Sequence, residues 1–170
     1  MGGTALAPRG IVRVEDRPFD PGAELDAFAA GLGPETGAIV TFSGHVRGEA
    51  GRLVALELEH YPGMTERALR AHGDEAARRF ALEAWLIIHR HGRIARGAPI
   101  MMVATAARHR RAAFEAAEFL MDWLKSRAPF WKREITPEGP GAWVGAEAAD
   151  EAALERWSPR ALQSPDGRII

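Results

Sequence analysis

The chain has 170 residues, no cysteine, and 22 Lys and Arg against 23 Asp and Glu, for a net charge of −1. Its length favours a single domain with a core of its own, and the lack of cysteine excludes disulfides, thiolate metal sites, iron–sulfur clusters and cysteine nucleophiles. The balanced charge disfavours a globally basic nucleic-acid binder or a polybasic membrane anchor.

Taken in chain order, Ile11–Val14 is a short β-branched strand. Pro21–Leu32 reads as a helix, opened by Asp and Pro and carrying Leu25, Phe28 and Ala29 at helical spacing. Ala38–Phe42 is an apolar strand, GEAGR at 48–52 a polar turn, and Val54, Leu56 and Leu58 alternate with Ala55, Glu57 and Glu59 as in a half-buried strand. Pro62-Gly63 ends that strand, and Thr65–Phe80, rich in Ala, Glu and Arg, is helical. Trp85–His89 is a strand, HGRIARGAP a turn, and Ile100–Ala106 another strand. His109–Arg127 is the strongest helix, with Phe114, Ala117, Met121 and Leu124 along one face. Pro129 ends it. Lys132–Thr136 and Ala142–Val144 form a hairpin across Pro137–Gly141, and Ala149–Trp157 closes as a short helix.

Residues 1–9 read as a flexible N-terminal extension, 10–157 as one domain, and 158–170 as a C-terminal tail. Helices and strands alternate but hairpin-like turns recur, so the expectation is a mixed α+β domain and not a doubly wound parallel sheet. No stretch has the apolar core of a signal peptide and none approaches 18 apolar residues. A cytoplasmic protein without a membrane span is expected.

Phosphate-loop, dinucleotide-fold, HExxH and GxSxG motifs are all lacking. His89 and His91 lie two apart on a strand, but no local third ligand joins them, and a zinc site needs three or four. What stands out is positive charge between Arg108 and Glu134: seven Lys or Arg face four carboxylates, a net +3 inside a chain of −1. His109 and Arg110 open a helix whose dipole opposes cations, which suits a bound anion such as a phosphate. Lys125 and Arg127 close it, where the dipole favours them, so a helix complement and a functional site both account for them. In RAPFWKRE, Phe130 and Trp131 stand beside Lys132 and Arg133, either as a stacking surface for a flat ligand or as a strand with one face in the core. A lysine crowded by cations and partly desolvated can act as acid, base or nucleophile, and composition leaves open whether Lys125 or Lys132 is such a lysine. Arg47 follows an apolar strand in a loop, where functional groups concentrate.

Taken together, TFSGHVR, LELEHYPGMTE, HRHGRI, ARHRRAAFEAAEFLMDWLKSRAPFWKRE and TPEG resemble the large catalytic subunits of molybdopterin synthase, the MoaE family. The likeness runs from about Ile11 to Trp157, so 10–157 becomes the catalytic domain. It implies an α/β hammerhead fold with an added small antiparallel sheet. It implies insertion of two sulfurs into cyclic pyranopterin monophosphate (precursor Z), the sulfur arriving as a thiocarboxylate on the C-terminal glycine of a small ubiquitin-like partner subunit. The assembly implied is a heterotetramer around a homodimer of large subunits, with no cofactor and no metal.

Carried over by position, the resemblance implies catalytic roles for Lys125 and Lys132. It implies substrate contacts at His45, Val46, Arg47, His109, Arg110, Lys125, Lys132, Arg133 and Glu134. Family members often carry Lys where this chain has His45, which makes any charge there dependent on pH near neutrality. Two other readings compete. A non-catalytic module that binds a ubiquitin-like tail would not need both lysines, and single-stranded nucleic-acid binding through RAPFWKR fits poorly with the net charge of −1.

Overall fold

A computed structural model describes residues 8–144 and 153–158. A first sheet has the strand order β1 (Arg9–Glu15), β4 (Leu82–Arg90), β6 (Pro99–Ala107), β2 (Ala38–His45), with β1 parallel to β4 and the other pairs antiparallel. A second, wholly antiparallel sheet runs β5 (Gly92–Ala95), β3 (Ala55–His60), β7 (Phe130–Thr136), β8 (Gly139–Pro140). Among the described residues the long helices are α1 (Pro21–Ala30), α2 (Met64–Phe80) and α3 (Arg110–Ser126). This is the α+β arrangement expected, a hammerhead-type domain with an added antiparallel sheet.

Both central strands of the first sheet are covered on two sides. In β4, Trp85 and Ile87 face α2 and α3, while Ala84, Leu86 and Ile88 face α1. In β6, Met101 and Val103 take the first side, and Met102, Ala104 and Ala106 the second. Period two with both faces buried produces an unbroken apolar run. Thr105, fully buried against α3, satisfies its hydroxyl by donating to the Ala113 carbonyl at 2.8 Å.

The helix starts follow from local chemistry. Asp20 caps α1, accepting from the Gly22 and Ala23 amides. Gly63, at φ 78°, turns the chain out of β3 and into α2, and its amide donates to Glu66 at 2.6 Å.

Four expectations need correction. HGRIARGAP is not only a turn: it contains β5, short enough that Ile94 is its one fully buried side chain. Val54 precedes β3 and is exposed, while Leu53, Ala55 and Leu58 are buried. The hairpin after β7 turns earlier than expected, pairing Thr136 with Gly139, and Val144 only touches back at Lys132. Phe114 is 62% exposed, because α3 turns Ala113, Ala116, Ala117 and Leu120 toward the sheet instead. Those small side chains let the helix approach closely, and Phe114 is left on its shoulder. Of the closing helix, 149–152 lie outside the described residues, and 153–155 are helical.

Candidate active site

The two ends of α3 carry the candidate groups. At its start, Arg108, His109, Arg110 and Arg111 line a cleft of about 450 Å³ together with Gly37. His109 is the extended N-cap residue, without a side-chain cap bond, and the first turn holds no acid. Two of these cations are neutralised: Arg108 by Glu35 at 3.1 Å and Arg111 by Glu115 at 2.8 Å. His109 and Arg110 have no such partner among the described residues. They stand beside first-turn amides that no helical carbonyl reaches. Gly37 makes the cleft possible, since a Cβ there would lie 2.2 Å from the Arg108 carbonyl oxygen.

Near the end of α3, Lys125 stands over a second cleft, of about 570 Å³, between α3 and the edge strand β2. Its apolar lining includes Val40, Phe42, Phe114, Ala117 and Met121. Phe42 and Phe114 are both exposed there, so the displacement of Phe114 from the core has a counterpart in the cleft wall. Lys125 makes no ion pair among the described residues. Sequence reasoning had missed Phe42 as a site residue; its place just before Ser43-Gly44, at the end of an apolar strand, was the available signal.

The remaining candidates lie on or after β2 and on β7. The His45 Nδ1–H donates to the Gly97 carbonyl at 3.1 Å, and its Nε2 lies 3.3 Å from the Ser43 hydroxyl. His45 therefore ties the end of β2 to the β5–β6 turn. Val46 is buried, and its backbone exchanges hydrogen bonds with that same turn, so it anchors the loop and does not present a side chain. Arg47 projects into solvent, 3.3 Å from Glu49. Lys132, half-buried, stands opposite Leu58 of β3. Arg133 and Glu134 are both engaged: Arg133 with Glu57 at 2.6 Å and beneath the Trp143 ring, Glu134 with Arg52 at 3.7 Å.

Phe130, two residues before Lys132, is packed by histidines. His89 stacks on it at 3.9 Å and His60 lies at 5.9 Å, with His91 against His60 at 4.6 Å. His89 is buried and pushed down to about 4 by that burial, its Nδ1–H donating to the Arg90 carbonyl. His60 is also lowered, first by burial and then by His91. Sequence placed His89 and His91 on one strand; β4 ends at Arg90, between them, and both rings join the cluster around His60 and Phe130. Among the described residues no group of three or more side chains is arranged to hold a metal ion.

One chain does not bring all the candidates together. Arg110 and Lys125 are fifteen residues apart on a continuous helix, roughly 22 Å at 1.5 Å per residue.

The model of the MoaE protein family matches residues 14–127. A molybdopterin synthase catalytic subunit of Cereibacter sphaeroides is 60% identical over 146 residues, covering 86% of this chain and 99% of that protein. A solved MoaE protein from Burkholderia ambifaria MC40-6 superposes with a TM-score of 0.74 at 47% identity, covering 87% of this chain and 97% of that one. More distantly, a chain from a Helicobacter pylori complex of subunits 1 and 2 of molybdopterin-converting factor shares the fold, with a TM-score of 0.67 at 19% identity over 81% of this chain and 90% of that one. Matched by the family model over residues 14–127 and this similar to its members in sequence and fold, the chain belongs to the MoaE protein family.

Proposed function

We propose that the protein is the catalytic subunit of a molybdopterin synthase, inserting sulfur into cyclic pyranopterin monophosphate to form the dithiolene. The sulfur comes in as the C-terminal thiocarboxylate of a small ubiquitin-like partner subunit in the cytoplasm. Each transfer moves one sulfur to the pterin side chain, and water supplies the oxygen that leaves the partner's tail as a carboxylate. The observation that carries the reading is Lys125 over an apolar cleft between β2 and α3, in a chain of this family. Lys125 and Lys132 divide the work of polarising the thiocarboxylate carbonyl and of moving protons as sulfur attacks. The substrate phosphate is held by His109 and Arg110, which have no carboxylate partner among the described residues, together with Arg47, whose pair with Glu49 lies in solvent. Because Arg110 and Lys125 lie so far apart in one chain, we read the site as shared between two copies. These form a homodimer at the centre of a heterotetramer.

The test is reconstitution with thiocarboxylated partner and precursor Z, read as dithiolene formation. Wild type forms product, and Lys125→Ala loses it almost entirely while still binding the partner. Absence of product from folded wild type refutes the assignment, and a fully active Lys125→Ala removes that lysine from the mechanism.

A further inference from the structure

Lys125 shares its face of α3 with two carboxylates. Glu118, Asp122 and Lys125 follow one another at spacings of four and three, and all three line the cleft between α3 and β2. That spacing ordinarily produces an ion pair between Asp122 and Lys125. No such pair forms, because the acids are taken from the other side. The Arg156 guanidinium donates through Nε to Asp122 at 2.9 Å, through Nη2 to the same carboxylate oxygen, and through Nη1 to Glu118 at 2.7 Å. The Trp157 indole N–H adds a further bond to Asp122 at 2.5 Å.

The segment that delivers Arg156 is independently anchored. The Trp157 ring packs edge-on against Phe80 and Phe119, and Arg79 donates both terminal nitrogens to the Trp157 carbonyl at 3.0 Å. Ala153 of the same segment lines the Lys125 cleft. Arg156 is thus held in place by its neighbours and satisfies two acids that flank a lysine it does not touch.

We propose that Arg156 is a positioning residue for Lys125, a role that rests on the catalytic reading of that lysine given above. By occupying Asp122 and Glu118, it keeps the Lys125 ammonium out of an intrahelical ion pair and available to the cleft. Without Arg156, the mostly buried Asp122 carboxylate loses its charged donors and captures the nearest cation, one helical turn away.

Four proteins test this: wild type, Arg156→Gln, Asp122→Asn/Arg156→Gln and Lys125→Ala, each checked for folding by circular dichroism. Two readouts are used. One is turnover with thiocarboxylated partner and precursor Z; the other is the rate at which an amine-directed acetylating reagent labels the Lys125 peptide, followed by mass spectrometry. Arg156→Gln lowers kcat and the labelling rate by about tenfold, the scale of one charge-assisted hydrogen bond, with KM for the pterin little changed. Adding Asp122→Asn restores both to within about threefold of wild type, since no carboxylate then remains one turn away. Full activity and labelling in Arg156→Gln overturns the proposal. So does a folded double variant no better than the single one, which would make Arg156 only a docking contact. The labelling result does not depend on turnover, so an active Lys125→Ala would refute the catalytic reading of Lys125 and leave the Arg156 result separately legible.

Discussion

Arg110 and Lys125 belong to the same helix and stand at its opposite ends, fifteen residues and roughly 22 Å apart. One faces a polar cleft beside Gly37 and the other an apolar cleft beside Phe42. A small phosphate-bearing substrate cannot bridge them within one chain. If two copies complete each site, the helix start of one meets the helix end of the other. Arg110→Ala and Lys125→Ala proteins are then each inactive alone. Mixing them after dissociation regains about a quarter of wild-type turnover, because half the dimers are mixed and each mixed dimer has one intact site. Turnover that stays at the level of the separate variants, in dimers shown by mass spectrometry to have exchanged, would place the whole site in one chain.

The site was only partly legible in the sequence, for a physical reason. His109 and Arg110 were conspicuous because cations at a helix N-terminus oppose the dipole. That Arg108 and Arg111 are neutralised was not, since Glu35 reaches Arg108 from 73 residues away. The same holds for Asp122 and Arg156, 34 residues apart. Within the fold, β4 and β6 announced themselves by continuous apolar runs. β5 did not, because it carries a single buried side chain and, among the described residues, pairs only with β3 at the sheet edge. Phe114 misled because apolar spacing shows that a helix has an apolar arc, and not which part of that arc meets the sheet.

Gly73 and Trp85 set a second expectation. Trp85 is fully buried between α2 and β1, and a Cβ on Gly73 would lie 2.4 Å from its ring; one on Gly10 would lie equally close on the other side. Helix propensity alone says that Gly73→Ala stabilises α2 by about 1 kcal/mol. The close approach reverses the sign. The ring is enclosed on both faces and cannot shift, so the variant loses roughly 1–3 kcal/mol, the usual cost of overpacking a filled core. Urea denaturation measures it, and a stabilised Gly73→Ala would show that the indole can move after all.

Acid should weaken the fold through two histidines. His72 is stacked between Phe119 and Trp123, at 4.4 and 4.5 Å, and His89 lies against Phe130. Both are pushed down from 6.5 to about 4, chiefly by burial, with Arg79 also opposing charge on His72 and His60 and His91 opposing it on His89. Since the unfolded chain binds these protons more readily than the folded one, the stability they protect is complete above pH 6.5. It falls as pH drops toward 4, by about 1.4 kcal/mol per pH unit for each histidine. Below 4 both states are protonated and the loss levels off. Glu75 stands 3.7 Å from His72 Nδ1 but is half exposed, so it offsets little of the burial. Replacing His72 by Phe keeps an aromatic ring in the stack and removes the buried Nε2, which has no hydrogen-bond partner among the described residues. Urea midpoints measured from pH 7.5 to 4.5 should therefore decline less steeply in His72→Phe than in wild type, by the share of one histidine. An unchanged slope would mean that His72 takes up its proton equally in the folded and unfolded states, so that burial does not hold it down. An imidazolium would then sit at pH 4.5 between two aromatic faces, compensated only by the half-exposed Glu75, at a cost that burial of this ring opposes.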